Sequence, residues 1–104
     1  MIADRLEGAF DSQSRNRGLL GREGLERGHA LIIAPGSVVH TFFMRFPIDI
    51  LFVARDGRVL KTRIAVPARR ITGSLTAFAV IELAAHTLEH SDTRRDDRVA
   101  VVAP

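Results

Sequence analysis

Three ionisable side chains interrupt a mostly apolar segment near the middle of the chain: His40, Arg45 and Asp49 within HTFFMRFPIDILFV (40–53). Histidine is the commonest general base, and arginine binds carboxylate or phosphate through a bidentate contact. A carboxylate beside them could serve as a base or as a ligand contact. The segment therefore predicts that a binding or catalytic site lies here.

The same residues also have structural interpretations. Asp49 lies between two isoleucines, and a buried carboxylate needs hydrogen bonds or a charged partner, for which Arg17 is the natural candidate. This anchoring role is the interpretation that we favour for Asp49. Strand alternation places His40 on one face with Phe42 and Met44. A lone histidine there is more often a hydrogen-bonded core residue than a catalyst, and Phe42 and Met44 are most simply core.

Two classes of function follow from these residues. The first is a non-catalytic module that binds a small molecule or glycan in a pocket beside residues 40–53, as small barrels often do at an open end. The second is an enzyme, a hydrolase or lyase, that uses His40 with Asp49 or Glu82. We prefer the first, because no serine has a nucleophile-elbow setting and no glycine-rich phosphate loop is present. The predicted ligand-binding residues are Arg17, His40, Phe42, Met44, Arg45, Asp49 and Glu82.

Thiol and metal chemistry have little support in the sequence. The chain has no cysteine, which excludes disulfides, thiolate ligands and a cysteine nucleophile. Glu82, His86 and His90 recur at every fourth residue and would line one face of a helix that could hold a divalent metal. That arrangement requires residues 76–90 to be wholly helical, and a strand would remove it. The sequence therefore predicts no metal and no cofactor.

The basic residues are concentrated in the middle of the chain. Residues 15–70 contain eleven basic and four acidic residues, and eleven minus four gives a net charge of +7. Such a surface could bind RNA or an acidic partner. The chain has no Tyr or Trp, however, and its Phe residues lie in apolar runs that favour burial. A basic-surface binder is therefore a second alternative, with nucleic acid not the preferred ligand.

The elements that must position these residues are mostly extended. A helix over residues 12–21, capped by Asp11 or Ser12, begins the pattern. Residues 76–90 fit either a buried strand or a helix, and periodicity alone cannot choose. Because strands follow one another without regular crossover helices, we expect an α+β, mainly β fold, either a compact antiparallel sheet or a partly closed barrel. The remaining apolar runs predict strands over residues 29–34, 38–45 and 98–103.

The clearest local element is a hairpin around the Asp-Gly pair at residues 56–57. Both turn positions favour a positive φ, which is typical of two-residue hairpin loops. A two-residue loop sets Phe52 opposite Lys61 and Ala54 opposite Val59.

Several motifs together resemble one family. RNRGLLGRE resembles an R-x-x-G-L-M/L helix, VIELAAHT resembles a Leu-Glu-Leu-Pro-Ala-Gly-Thr segment, and RRDDRV resembles a closing Gly-Asp-x-Val. HTFFMRFPIDILFVARDGRV is similar to a central pattern of an aromatic-aromatic-Met strand end, Pro-Leu/Ile-Asp, a second strand and a glycine turn. Over about residues 12–102, the chain resembles the domain of unknown function 192 family of small prokaryotic proteins.

The resemblance implies a compact fold dominated by strands, with one N-terminal helix and a short second helical turn. It also implies that residues 77–83 form a strand and that a helix begins only after His86. It implies no reaction. The chain departs from the family pattern at its leading strand, written here MIADRLEGAF, at Ala84 in place of proline, and at His86 and Asp96 in place of glycine.

Length and hydropathy predict a single domain over residues 1–104. No apolar run approaches the roughly 20 residues that span a bilayer. The first fourteen residues lack the basic start and apolar block of a secretory leader. We therefore expect a cytoplasmic protein, or a periplasmic or secreted one if a leader has been removed.

Overall fold

The computed structural model describes residues 5–9, 24, 28–42 and 44–91. Arg17, the predicted helix over residues 12–21 and the predicted strand over residues 98–103 lie outside these ranges. No helix within the ranges is long and apolar enough to cross a membrane. In chain order the described elements are β1 (Arg5–Ala9), β2 (His29–Ile33), β3 (Val38–His40), β4 (Ile48–Val53), β5 (Val59–Val66), β6 (Ile71–Gly73), β7 (Ala79–Ala84) and α1 (Thr87–Ser91).

The described strands form two open sheets. Five of them are hydrogen-bonded in the order β1-β2-β7-β4-β5, and β3 pairs with β6 in a second sheet. The pairings are antiparallel except for β1 with β2, which is parallel. The leading segment MIADRLEGAF thus contains β1, the outermost of the described strands of this sheet. Residues 10–28 separate it from β2 in sequence, which is enough chain for a parallel pair. The prediction of a compact, mainly β fold with antiparallel sheets is confirmed.

The central strands β4 and β7 are buried on both faces of the larger sheet. All six residues of each strand are buried, which is why IDILFV and AVIELA read as nearly continuous apolar runs. One face of the sheet carries a cluster formed by Leu31, Val39, Ile48, Ile50, Phe52, Val66 and Val80. The other face carries Ala30, Ala34, Leu51, Val53, Val59, Ala79, Ile81, Leu83 and Leu88.

The predicted hairpin joins β4 to β5, and the turn glycine has a positive φ of 86°. Phe52 pairs with Lys61, as predicted. The expected pairing of Ala54 with Val59 is wrong, because Val53 lies opposite Val59. An irregularity between Phe52 and Val53 shifts the register by one residue and leaves Ala54 to the turn.

The segment that fitted either a strand or a helix divides between the two. Residues 79–84 form β7 and residues 87–91 form α1, in agreement with what the family resemblance implied. Because Glu82 lies in the strand and His86 in the turn that follows, they do not share a helical face with His90. Within the described ranges, no group of three or more His, Asp or Glu side chains could hold a metal ion.

β3 is shorter than the sequence predicts. The apolar run predicts a strand over residues 38–45, but β3 ends at His40. The next residue, Thr41, is 1% exposed. Its hydroxyl donates to Pro67 O over 2.6 Å and accepts from Arg70 N over 2.9 Å. The chain therefore leaves the ladder at Thr41, where it is bonded to the loop before β6.

β3 and β6 form a two-stranded ribbon, called the β3–β6 ribbon below. Val39 pairs with Thr72 on the inner face, and both side chains are 8% exposed. A Cβ atom at Gly73 would lie 2.9 Å from the carbonyl oxygen of Ser37, so only glycine permits this close approach. Lys61 on β5 donates from Nζ to the Gly73 carbonyl over 2.8 Å and ties the ribbon to the larger sheet.

Candidate functional site

Asp49 is fully buried in β4 and is bonded to the backbone of two other elements. Its Oδ1 atom accepts hydrogen bonds from Ala65 N (2.8 Å) and His86 N (2.9 Å), and its Oδ2 atom accepts one from Leu88 N (2.8 Å). Hydrogen bonds from three donors allow a carboxylate to remain buried. Asp49 therefore joins β4 to β5 and to the start of α1. Arg17, its predicted partner, lies outside the described residues.

Two of the three amides that Asp49 binds belong to residues with a left-handed backbone. The φ angle is 50° at Ala65 and 69° at His86, a conformation that costs a non-glycine residue about 1–2 kcal/mol. The register of β4 with β5 shifts between Ile48 and Ile50, directly opposite this part of β5. The carboxylate thus stabilises a β-bulge on one side and the turn before α1 on the other.

His86 stands where the family pattern has glycine, and the backbone explains that pattern. Glycine adopts a φ of 69° without steric cost, whereas histidine does not. The His86 Nδ1 atom lies 2.9 Å from Glu89 Oε1, and the two side chains are 53% and 47% exposed. A surface contact of this kind contributes about 0–1 kcal/mol. The side chain of His86 therefore compensates little of the backbone strain.

We expect His86→Gly to raise the free energy of unfolding by about 0.5–1 kcal/mol, because glycine removes the strain at this position. His86→Val should lower it by about 1–2 kcal/mol, since a branched Cβ makes a positive φ more costly. Urea denaturation of both variants measures the difference. Equal stability of the two variants would show that the backbone at residue 86 is not strained.

The buried carboxylate of Glu82 lies on the other side of the sheet from Asp49. Glu82 is 4% exposed and pairs with Ile50 on one side and Leu31 on the other. Because side chains alternate along a strand, Asp49 projects from the face opposite to Ile50 and Glu82. The two carboxylates that the sequence offers as alternative partners of His40 are therefore separated by the sheet.

The structure brings two of the predicted residues together at the surface, His40 and Phe42. Their ring centroids are 5.8 Å apart and the ring planes are tilted by 31°. Both residues are exposed, so their interpretation as core residues is wrong. The reason is the register with β6, which turns Val39 inward and His40 outward beside Ile71.

Met44 and Arg45 lie in the loop between the ribbon and β4. Met44 is half-buried and packs against the core cluster that contains Ile50 and Phe52. Arg45 is exposed. The predicted apolar wall is therefore divided, with Met44 packed against the core and the ring of Phe42 at the surface.

Sequence reasoning missed that residues 69–70 lie beside the loop that follows His40. Arg69 and Arg70 are exposed and directly precede β6. They are distant from His40 in sequence, so only the pairing of β3 with β6 reveals that they are neighbours. Four of the five exposed large hydrophobic residues of the described ranges also lie in or beside the ribbon, namely Val38 (62% exposed), Phe42 (38%), Ile71 (68%) and Leu75 (99%).

Solved structures support this fold. A protein from Sinorhizobium meliloti 1021, named provisionally as a transcription regulator, superposes with a TM-score of 0.82 at 24% identity, over 89% of this chain and 78% of that one. A protein of unknown function from Novosphingobium aromaticivorans DSM 12444 gives a TM-score of 0.81 at 21% identity, over 89% of this chain and 71% of that one. At such identities the likeness establishes the fold alone.

Comparison with protein families gives a direct assignment. No curated protein matches the chain at a significant level. A model of the family DUF192, described as "Uncharacterized ACR", matches residues 2–101. The match begins ten residues before the resemblance seen in the sequence motifs and therefore includes β1. The chain belongs to the uncharacterised DUF192 family.

Proposed function

We propose that the protein is a non-catalytic binding module that recognises a small anionic molecule or an acidic glycan on the outer face of the β3–β6 ribbon. The observation that carries this proposal is the exposed ring pair of His40 and Phe42, with centroids 5.8 Å apart. It refines the sequence-based expectation of a site beside residues 40–53. Of the residues predicted there, His40 and Phe42 contact the ligand, while Asp49 and Glu82 remain inside the fold.

The ring pair provides an apolar surface for a ligand. Binding sites are lined mainly by aromatic and apolar side chains, with a few polar groups that fix the orientation of the ligand. Ile71 lies opposite His40 across the ribbon and is 68% exposed, so it extends this surface. The imidazole nitrogens of His40 can donate a hydrogen bond to a hydroxyl group or accept one from it. A sugar ring, which has apolar faces and polar edges, fits such a surface.

Two arginines at the edge of the surface favour a ligand with a negative charge. Thr41 N donates to Arg70 O over 2.8 Å, and Arg69 N donates to Thr41 O over 3.2 Å. These backbone bonds hold residues 69–70 beside the loop that carries His40 and Phe42. Exposed guanidinium groups bind carboxylate and phosphate through paired hydrogen bonds. Nη1 of Arg70 also donates to the carbonyl oxygens of Ala68 and Arg69 (3.4 Å each), and because a guanidinium has five N–H donors these bonds do not use them all.

The contacts of the buried acids support binding rather than catalysis. A general base must be able to reach the proton that it removes. Asp49 is fully buried and already accepts three backbone hydrogen bonds. Glu82 is 4% exposed and lies on the opposite face of the sheet from Asp49. A hydrolase or lyase site built from His40 and either acid would need the sheet to open.

Heteronuclear NMR titration tests the proposal with glucuronate and glucose 1-phosphate as anionic probes and glucose as the neutral control. We expect the anionic sugars to shift amide resonances of residues 38–42 and 69–73, and glucose to shift them much less. His40→Ala and Phe42→Ala should each weaken binding by about three- to tenfold, the effect typical of losing one aromatic contact. Arg70→Gln should weaken binding of the anionic probes alone.

Arg58→Gln is the matched control for the charge change, because Arg58 is exposed in the hairpin turn between β4 and β5. It should leave the affinity unchanged. Shifts that cluster away from the ribbon would refute this location for the site, and so would His40→Ala and Phe42→Ala variants that bind the probes as tightly as the unaltered protein does. Equal binding of glucose and glucuronate would refute the charge requirement.

A further inference from the structure

Leu75 is 99% exposed, the highest value among the large hydrophobic residues of the described ranges. It lies in the turn that follows β6. Backbone hydrogen bonds from Ser74 N to Ser37 O (2.9 Å) and from Ala77 N to Ser74 O (3.0 Å) hold this turn. The turn therefore keeps its shape without packing of the leucine side chain, which is left entirely in water.

Two further side chains continue the apolar surface from Leu75 along the ribbon. Val38 pairs with Gly73, and because glycine has no side chain, Val38 remains 62% exposed. Ile71 lies at the opposite end of β6 from Gly73 and is 68% exposed. We call Val38, Ile71 and Leu75 the apolar strip. Arg69 and Arg70 are exposed and directly precede Ile71 in the chain, so their charges lie close to this end of the strip. The Arg70 guanidinium donates from Nη1 to the carbonyl oxygens of Ala68 and Arg69 (3.4 Å each), which keeps it beside this loop.

We infer that the apolar strip docks on the surface of an anionic lipid bilayer. Peripheral proteins bind such surfaces by placing apolar side chains at the boundary between headgroups and acyl chains. Basic side chains at the same surface add attraction to anionic lipids, and each one contributes measurably near the membrane. The strip offers both parts in one place, with the leucine turn at one end and the two arginines at the other.

Size and charge favour a lipid surface over a protein partner. A stable protein–protein interface uses roughly 20–30 residues on each side, whereas the strip consists of three apolar side chains with arginines at one end. A second copy of the chain would also bring further guanidinium groups to the same contact. A lipid surface does not need a shape complementary to the strip, and an anionic bilayer carries the charge opposite to that of the two arginines. The strip shares Ile71 and the two arginines with the surface proposed for the sugar, whereas Val38 and Leu75 take no part in that surface. Leu75→Ser therefore tests membrane docking without altering the proposed sugar site.

Vesicle co-sedimentation tests the inference. The two probes are vesicles of phosphatidylcholine alone and vesicles that contain about one-third phosphatidylglycerol. We expect the protein to bind the second kind and to bind the first kind weakly. Leu75→Ser should reduce binding by about tenfold, since one leucine no longer leaves water. Leu75→Met should retain it, and the pair Arg69→Asn with Arg70→Gln should reduce it by about tenfold or more.

The variants are chosen so that loss of folding does not imitate loss of binding. Leu75 makes no packing contact to lose, and asparagine suits the positive φ of 65° at residue 69. Arg58→Gln in the hairpin turn is the control for net charge and should bind as the unaltered protein does. The inference would be overturned if the protein did not bind anionic vesicles, or if Leu75→Ser bound them as strongly as the unaltered protein does. Self-association that depends on Leu75 in the absence of vesicles would also overturn it.

Discussion

Replacement of Asp49 by asparagine is expected to lower the free energy of unfolding by about 2–4 kcal/mol. The carboxylate is fully buried and accepts three backbone hydrogen bonds, two at Oδ1 and one at Oδ2. An asparagine side chain has a single acceptor atom. In either orientation it turns an amide group towards at least one buried backbone donor, which loses its partner. Asp49→Ala should lower the free energy of unfolding further, because all three backbone donors then lose their acceptor.

Urea or guanidinium denaturation, followed by circular dichroism, measures this loss. Asp56→Asn is the matched control, since Asp56 is exposed and its Oδ1 atom accepts one hydrogen bond from Arg58 N, which asparagine can also accept. The control should stay within about 0.5 kcal/mol of the unaltered protein. If Asp49→Asn fell within the same limit, the three hydrogen bonds would not hold the fold together.

The second large effect is expected from Thr41→Val, which should lower the free energy of unfolding by about 2–3 kcal/mol. Valine has nearly the same shape as threonine but cannot replace the hydroxyl group of Thr41. The carbonyl of Pro67 and the amide of Arg70 would then lose bonds of 2.6 and 2.9 Å. Since Thr41 is 1% exposed, water could not easily take the place of the hydroxyl.

This substitution should also loosen the β3–β6 ribbon, because Thr41 joins the loop after β3 to the loop before β6. Hydrogen exchange of the β6 amides is the second measurement and should become faster than in the unaltered protein. Thr76→Val provides the control, since Thr76 is exposed in the turn before β7. If the β6 amides of Thr41→Val exchanged as slowly as those of the unaltered protein, and the free energy of unfolding were unchanged, Thr41 would not hold the ribbon.

The elements that the sequence predicts well are those with a local physical signal. The Asp-Gly pair predicts the hairpin, since the turn needs a positive φ that Gly57 supplies, although Asp56 does not have the positive φ expected of a two-residue loop. The β-branched run after His29 predicts β2. Residues 76–90 had no such signal, and only the family resemblance divided them into β7 and α1.

The candidate site was harder to predict because it depends on contacts between distant segments. Alternation within an assumed strand placed His40 in the core, but β3 ends at His40 and its pairing with β6 turns the ring outward. That pairing also brings residues 69–70 beside the loop that follows His40, through backbone bonds with Thr41. The need of Asp49 for partners could be inferred from burial. The partners within the described ranges are backbone amides, which every residue except proline possesses, and no sequence pattern distinguishes them.

The bonds of Asp49 have a consequence for how sequences of this fold can vary. The carboxylate accepts its hydrogen bonds from the backbone amides of Ala65, His86 and Leu88 and not from their side chains. Substitutions at these three positions therefore leave the bonds intact as long as the backbone keeps its conformation. A change at Asp49 itself, in turn, cannot be compensated by a new side chain at any one of them. At these three positions, covariation would therefore show no partner for Asp49, although β4, β5 and α1 are joined through it.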